Sequence, residues 1–253
     1  MYYKTTGKGK VVVLIHGFIE EGSMWNDVAK MLSKNYKVIV PDLEGFGNTP
    51  LQKGKISMEY YANEVYKLLQ KEKAKKCVML GHSMGGYVTL NFAEKHPGVL
   101  SGFGLLNSHC FADTEEKKAN RKKGNDFIMR NGSKPFVTEL YNGIFHPVYK
   151  KANQKLIDSL IAKAEKYTPE ALVAANTAMA NRADKSDVLK NATVPVLLIN
   201  GKQDESAPLA FTSQQASFPP VADVHFYDEC KHMSIFEKKA DALKRIAAFC
   251  ART

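Results

Sequence analysis

The stretch MLGHSMGGYV, residues 79–88, places Ser83 between glycines where an apolar run gives way to a helical pattern. A glycine in regular structure costs roughly 0.5–1 kcal/mol relative to alanine, so these glycines need a physical reason. One reason is an ordinary tight turn. The other is a turn so sharp that strand and helix nearly touch, with the serine hydroxyl at its apex, as in the G-x-S-x-G nucleophile elbow. The strand-like CVML before it and the helix-like GGYVTLNFAEKH after it favour the second reading.

Short apolar runs alternate with longer segments of helical period along the chain. The predicted strands are Val11–Ile15, Lys37–Val40, Cys77–Leu80, Gly102–Leu106, Val194–Asn200 and Asp223–Tyr227. The predicted helices between them are Trp25–Leu32, Ser57–Glu72, Gly85–Lys95 and Pro208–Ala216. The strands are continuously hydrophobic, which is typical of strands covered on both faces. The sequence therefore predicts an α/β fold, a mostly parallel sheet flanked by helices on both faces.

Residues 111–187 break this alternation, because only helical patterns occur there. Thr114 before two glutamates is typical of a helix N-cap, and Thr168-Pro169-Glu170 predicts a second helix start. We expect one domain over residues 1–253, with 111–187 inserted as a helical lid over the carboxyl edge of the sheet.

Three chemically distinct side chains follow predicted strands. A serine hydroxyl needs a base, and the base needs an orienting carboxylate. Asp204 comes directly after the strand at 194–200, and His232 follows the last strand. Since parallel strands end at one edge of the sheet, Ser83, Asp204 and His232 are predicted to meet as a catalytic triad, in the order Ser, Asp, His.

Backbone donors for an oxyanion are predicted at two places. Met84 follows the nucleophile and opens a helix, where N–H groups lack intrahelical partners. The second donor is predicted in the loop HGFIEEG after the first strand, at the N–H of Phe18.

These motifs together resemble the α/β-hydrolase fold family across nearly the whole chain. VVVLIHGF resembles the strand that leads into its oxyanion loop and the loop itself, VPDLEGFGNT its D-x-x-G-x-G-x-S/T turn, and GHSMGG its elbow. NGKQDESAP and CKHMSIFE resemble its acid and histidine loops. Two features depart from the family pattern. Residues 1–10 leave room for at most one short extra strand, and Glu44 occupies a usually basic position, where it could alter charge at the pocket mouth.

Several of these residues also have a plainer structural interpretation. Asp204 could cap a helix, since Glu205 is adjacent to it and Asp228 lies close before His232 in sequence. Asp113, which follows the preceding strand, is a further alternative for the acid of the triad. A structural role is favoured for a further set of residues: His16 bracing the oxyanion turn, His82 packing beside the elbow, Asp42 pinning its turn and Trp25 packing a helix.

The substrate wall is expected to come from apolar residues of the insertion. The candidates are Phe127, Phe136, Tyr141, Ile144, Phe145 and Met179, with His109 and Phe111 where the chain enters the insertion.

Composition excludes several other classes of protein. The 253 residues carry a formal net charge of +10, but the excess is mostly lysine, in EEKKANRKK (115–123) and KKADALKR (238–245). We interpret both stretches as solvated helix faces and expect no nucleic-acid partner. Four scattered cysteines favour reduced thiols over disulfides or a zinc site. With no long apolar run, we expect neither a membrane span nor a signal peptide, and a cytoplasmic protein.

The expected function is a serine hydrolase acting on small to medium carboxylic esters through an acyl-enzyme, without metal or organic cofactor. Lactones, thioesters, C–C bonds of diketones and perhydrolysis remain open on the same triad. A low-turnover receptor with this fold is the alternative from a different class. The oligomeric state stays open.

Overall fold

The computed structural model describes residues 1–52 and 54–253. Within these residues, seven strands form one sheet in the order β1-β3-β2-β4-β5-β6-β7. All neighbouring pairs are parallel except β1 with β3, which is antiparallel. The strands are β1 Tyr3–Thr6, β2 Val11–Ile15, β3 Lys37–Pro41, β4 Cys77–His82, β5 Leu100–Leu106, β6 Val196–Gly201 and β7 Ala222–Tyr227.

Helices cover both faces of this sheet, which confirms the predicted fold class. They are α1 Asn26–Leu32, α2 Met58–Lys71, α3 Met84–Lys95, α4 Glu115–Asn131, α5 Ser133–Ile144, α6 Pro147–Ala152, α7 Gln154–Ala164, α8 Pro169–Ala180, α9 Ser186–Lys190, α10 Leu209–Gln215, α11 Ser234–Glu237 and α12 Lys239–Arg252. The predicted caps lie at two of these starts: Thr114 Oγ1 accepts from Lys117 N–H at 3.2 Å, and Thr168 Oγ1 from Ala171 N–H at 3.2 Å.

The run VVVLI of β2 shows why the parallel strands are apolar throughout. Val12 and Leu14 point into a core that includes the fully buried Trp25 and residues of α1 and α12. Val13 and Ile15 point into the opposite core, with α2, α3 and part of the insertion. Successive side chains of a strand alternate between faces, so burial of both faces requires an uninterrupted apolar run.

Some strands end at a different residue from the prediction, because backbone pairing with the neighbouring strand continues beyond the apolar run. β4 extends beyond Leu80 because Gly81 and His82 pair with Leu105 and Leu106 of β5. β1 occupies the space that the sequence left for one short strand, and it pairs antiparallel with β3 from Tyr3 opposite Pro41.

Helices α4 to α9 lie between β5 and β6, and the segment 111–187 holds α4 to α8 and the start of α9. This helical insertion is hydrogen-bonded to two loops at the carboxyl edge of the sheet. Tyr141 Oη–H donates to Ile19 O at 3.1 Å, in the loop after β2. Ile144 O accepts from the backbone N–H of His232 at 3.0 Å, in the loop after β7.

The turn from β4 into α3 has no room for a side chain at its glycines. A Cβ on Gly81 would lie 2.1 Å from Gly85 O, and one on Gly85 would lie 2.3 Å from Ile15 O of β2. Between them Ser83 adopts φ 51° and ψ −116°, a conformation that costs a non-glycine residue on the order of 1–3 kcal/mol. The sequence GHSMGG thus forms the sharp turn and not an ordinary one.

We expect Gly85→Ala to lower the free energy of unfolding by about 2–3 kcal/mol, because a methyl group there meets the backbone of β2. Urea denaturation followed by circular dichroism measures this change. Gly98→Ala is the matched control: no heavy atom lies within 4 Å of its added Cβ, so a change under about 0.5 kcal/mol is expected. Equal midpoints for the two variants would contradict the steric argument.

Candidate active site

Ser83, His232 and Asp204 are brought together at the carboxyl edge of the sheet. Ser83 precedes α3, Asp204 follows β6, and His232 follows β7. Ser83 Oγ lies 2.8 Å from His232 Nε2, and His232 Nδ1 lies 2.8 Å from Asp204 Oδ2. A hydroxyl, an imidazole and a carboxylate in this order form the arrangement that activates a serine nucleophile.

Asp204 is a buried carboxylate whose two oxygens have different partners: one contacts His232, and the other accepts from the loop that follows Asp204. Its Oδ1 accepts from the backbone N–H groups of Ser206 at 2.8 Å and Ala207 at 3.0 Å, which is the capping role considered above. Burial alone would raise the pKa of Asp204, but the neighbouring His232 and the hydrogen bonds to the carboxylate outweigh it and lower this pKa. Asp204 is therefore ionised opposite the imidazole.

The alternative acids are engaged elsewhere. Asp113 contacts Arg121 Nε at 2.5 Å and Arg182 Nη1 at 2.6 Å. Asp228 is exposed and pairs with Lys202, and Glu205 pairs with Lys231 at 2.8 Å. Asp204 is the carboxylate that reaches His232.

The strained backbone of Ser83 is held from three sides. Its N–H donates to Leu106 O at 2.9 Å. Its carbonyl accepts from Gly86 N–H at 2.8 Å and from Ser108 Oγ–H at 2.8 Å. A strained backbone of this kind persists only where the surrounding structure holds it in place. Here the hydrogen bonds come from β5 and the residue two positions after it, and from α3.

The loop after β2 closes on the serine. A Cβ on Gly17 would lie 3.1 Å from Ser83 Cβ. His16 fixes this loop: its Nε2 accepts from Leu43 N–H at 2.9 Å, so its Nδ1–H donates to Gly17 O at 2.8 Å. Burial lowers the pKa of His16, in agreement with this neutral tautomer. The structural role expected for His16 is the one observed.

The two residues predicted to supply oxyanion donors, Met84 and Phe18, belong to the segments that border Ser83. Met84 is the first residue of α3, where an N–H has no acceptor within the helix. Phe18 follows Gly17 and lines the same cavity as Ser83.

His82 and Glu20 form a buried ion pair beneath the site. His82 Nδ1–H donates to Glu20 Oε2 at 2.9 Å, and Nε2–H donates to the carbonyl of His232 at 2.8 Å. Burial opposes the imidazolium, but the Glu20 carboxylate outweighs it and raises the pKa of His82. Since both ring nitrogens face acceptors, the charged form satisfies both contacts. Glu20 also accepts from Gly17 N–H at 2.6 Å, so the pair joins the loop after β2 to the histidine loop.

Two residues that position the site are not indicated by the sequence motifs. Asn107, directly after β5, donates through Nδ2 to Asp204 Oδ2 at 3.0 Å and to Lys231 O at 2.9 Å. Glu237 accepts from the N–H groups of Met233 at 3.0 Å and of His146 at 2.8 Å. The signal for Asn107 was its place at the carboxyl end of a central strand; Glu237 had no comparable signal.

A cavity of about 290 Å³ opens over Ser83 and His232. Its apolar wall comes from the loop after β2, from α3 and from the insertion: Phe18, Ile19, Tyr87, Phe136, Leu140, Ile144 and Met179. The sequence pattern does not predict its polar wall, which consists of Lys117, Asn120, Arg121 and Asn176 together with Glu20 and Ser206.

The expected substrate residues divide between this cavity and other places. Phe136, Ile144 and Met179 line it, and Phe127 lines an adjacent outer cavity of about 660 Å³ that also reaches His232.

Four expected wall residues line neither of these two cavities. His109 is buried between Tyr87 and Phe211, where burial lowers its pKa to about 3. Phe111 packs on Phe211 as well. Tyr141 and Phe145 turn into the core, Tyr141 toward Ile19 O and Phe145 onto Tyr149. These positions depend on how the insertion docks, which helical periodicity alone does not specify.

Two further expectations concern charge and membranes. Glu44 is buried and accepts from Gln52 N–H at 2.8 Å and from Tyr60 Oη–H, so its charge serves its own turn and not the pocket mouth. Among residues 1–52 and 54–253, the structure contains no helix with the length and apolarity needed to cross a membrane.

Comparison with known proteins places the chain in a family. The family model described as "Serine aminopeptidase, S33" (Hydrolase_4) matches residues 7–239. The chain belongs to this α/β-hydrolase family.

A solved structure of a thermophilic esterase from Thermogutta terrifontis superposes with a TM-score of 0.93 at 27% identity, covering 99% of this chain and 93% of that one. The pimeloyl-[acyl-carrier protein] methyl ester esterase of Vibrio cholerae is 22% identical over 261 residues, covering 100% of this chain and 98% of its own length. An uncharacterised protein of Mycobacterium tuberculosis is 31% identical over 106 residues, 42% of this chain and 31% of its own length. The match with this last relative spans about a third of that protein.

We expect Glu20→Gln to destabilise the protein by about 3 kcal/mol in weakly acidic solution, because it removes one partner of a buried ion pair. The pKa of His82 is raised, so its contribution is complete below the ordinary value of 6.5 and is lost as pH rises toward the raised value. The pKa of Glu20 is lowered despite burial, so its contribution is complete above the ordinary 4.5 and is lost at lower pH. The effect is therefore largest between pH 4.5 and 6.5.

Urea denaturation across pH 5–9 measures this difference. Glu21→Gln is the matched control: Glu21 lies next in sequence and pairs at the surface with Lys163, so it leaves the loss of stability above pH 6.5 intact. Parallel pH profiles for wild type and Glu20→Gln would show that the pair is not charged.

Proposed function

We propose that this protein hydrolyses small to medium carboxylic esters through an acyl-enzyme intermediate. The observation that carries the proposal is the pair of 2.8 Å contacts from Ser83 through His232 to Asp204, at the base of a cavity of about 290 Å³. The esterase function named for the T. terrifontis and V. cholerae proteins supports it.

In the first half-reaction, Ser83 Oγ attacks the ester carbonyl while His232 Nε2 takes the hydroxyl proton. The C–O bond to the alcohol then breaks, and His232 returns that proton to the leaving alkoxide. Asp204 holds the imidazole by its Nδ1–H and stabilises the imidazolium. In the second half-reaction, His232 deprotonates a water that attacks the acyl carbonyl. The Ser83–acyl bond then breaks, His232 returns the proton to Ser83 Oγ, and the acid is released.

The developing oxyanion requires donors that are in place before the reaction. The N–H groups of Met84 and Phe18 are the donors proposed here, and removal of one such donor typically costs about 3–4 kcal/mol of transition-state stabilisation. The loop that carries Phe18 is fixed through His16 and Glu20, which supports a preorganised site. Preorganisation matters because donors that must reorganise during the reaction lose much of their effect.

Ser83→Ala is expected to lower kcat for p-nitrophenyl butyrate by at least about 10³-fold, because no other hydroxyl of the described residues is hydrogen-bonded to the His232 imidazole. Ser213→Ala, at an exposed position of α10, is the control and keeps the wild-type rate. Release of p-nitrophenolate measures both. Equal rates for wild type and Ser83→Ala remove the mechanism. If the wild-type protein hydrolyses no ester, lactone or thioester but binds a small molecule tightly, the receptor alternative replaces the proposed hydrolysis.

Asp204→Asn is expected to reduce kcat by about 10³–10⁴-fold with a smaller change in KM, since the amide stabilises the wrong imidazole tautomer and no imidazolium. Asp228→Asn is the matched control, because Asp228 lies nearer to His232 in sequence but is exposed and paired with Lys202. Steady-state kinetics with the same ester give both constants. A larger loss in Asp228→Asn than in Asp204→Asn would reassign the acid.

A further inference from the structure

One wall of the cavity at Ser83 carries an unbalanced positive charge. Helix α4 places Lys117 and Arg121 one turn apart, and both side chains line the cavity together with Asn120. Within the described residues, Lys117 Nζ has no carboxylate within ion-pair distance and no hydrogen-bond acceptor. Its ammonium group is thus free to meet a ligand.

The nearby carboxylate is already shared by two other cations. Asp113 takes Arg121 Nε on one oxygen and Arg182 Nη1 on the other, at 2.5 and 2.6 Å. Three cations therefore stand against one carboxylate, and Lys117 is the cation left over. Burial and the nearby Arg121 lower the pKa of Lys117, so an anion brought beside it would relieve a repulsion.

The other anionic side chains near Ser83 do not cancel this charge. Glu20 lines the cavity but is paired with the His82 imidazolium, and Asp204 is not among the residues that line this cavity. A ligand that enters the cavity consequently meets a net positive wall opposite the apolar one.

This wall is built in advance of any ligand. Arg121 Nη1–H donates to Asn176 Oδ1 at 2.8 Å, and Asn176 Nδ2–H donates back to Arg121 O at 3.1 Å. Asn176 is 3% exposed and bridges α8 to α4, so the guanidinium lies in a fixed orientation. Rigid placement of this kind reduces the entropy lost on binding.

We propose that the cavity recognises esters that carry a carboxylate at the end remote from the scissile bond, such as half-esters of dicarboxylic acids. Lys117 binds that carboxylate, and the apolar wall of Phe136, Leu140 and Met179 covers the methylene chain between the two ends. The single free ammonium matches a singly charged carboxylate better than a phosphate dianion. This inference rests on the proposed ester hydrolysis and narrows its substrate class.

The test compares monomethyl adipate with the methyl ester of adipic monoamide, which has the same length and shape but no charge. Homologues from glutarate to suberate are included, because the span from Ser83 to Lys117 selects the best chain length. The readout is the ratio of kcat/KM for the half-ester to kcat/KM for its amide, followed by pH-stat. We expect a wild-type ratio of at least about 10 for the best length, equivalent to about 1.4 kcal/mol.

Lys117→Met is expected to lower this ratio at least tenfold, and Lys117→Arg to restore most of it. Lys118→Met is the matched control: Lys118 is the next residue of α4 but pairs with Glu115 at the surface, so the ratio stays at the wild-type value. A ratio near or below 1 at every chain length in wild type, or a ratio unchanged in Lys117→Met, overturns the inference while leaving ester hydrolysis intact.

A binding experiment separates this inference from the proposed reaction. Titration calorimetry of adipate into the Ser83→Ala protein is expected to show binding that disappears in Ser83→Ala/Lys117→Met. If no ester is hydrolysed but this binding is seen, the carboxylate site stands and the reaction fails. If adipate does not bind to the Ser83→Ala protein, the carboxylate site is overturned.

Discussion

The contact between α3 and β2 at Gly85 is the constraint on which the site depends. Because Gly85 has no Cβ, its backbone lies against Ile15 O at a distance that no other residue permits. This close approach brings the start of α3 over the end of β2, and it makes the chain turn at Ser83 with a positive φ. The serine hydroxyl is therefore directed by backbone geometry, and the strain is balanced by hydrogen bonds from β5 and from the residues that follow it.

Around this rigid centre, the histidine loop is held by distant elements. Asn107 donates both to Asp204 and to Lys231 O of this loop, and Glu237 accepts from the N–H of Met233. Ile144 O accepts from the N–H of His232. His82 adds a contact to the carbonyl of the same residue. Both backbone groups of His232 are thus engaged, which fixes the imidazole for contacts at each of its nitrogens. A proton transfer that depends on a 2.8 Å separation requires this degree of positional control.

The sequence predicted the fold class and the convergence of Ser83, Asp204 and His232 because both follow from local signals. Apolar runs define parallel strands, and parallel strands end at one edge of the sheet. The contacts that hold the site could not be predicted in this way. Asn107 and Asp204 lie 97 residues apart, and no periodic pattern marks a hydrogen bond over that distance. The aromatic residues of the insertion were a partial guide to the cavity for a related reason: Phe136 lines it, whereas Tyr141 and Phe145 pack inward once the helices dock.

The basic stretch 115–123 shows how one helix combines two environments. Its sequence predicts a solvated face, and Lys118 and Lys122 do form surface pairs with Glu115 and Asp126. Lys117 and Arg121 lie on another face of the same helix, since residues four apart project in the same direction. That face lies against the cavity because Arg121 is hydrogen-bonded to Asn176 of α8 and to Asp113, which precedes α4. The sequence pattern predicts that all of these side chains are exposed to solvent, whereas the docking of α4 places Lys117 and Arg121 at the cavity. The helical insertion therefore contributes to the site in two ways: it supplies a charged wall, and through Tyr141 and Ile144 it anchors the two loops on either side of Ser83.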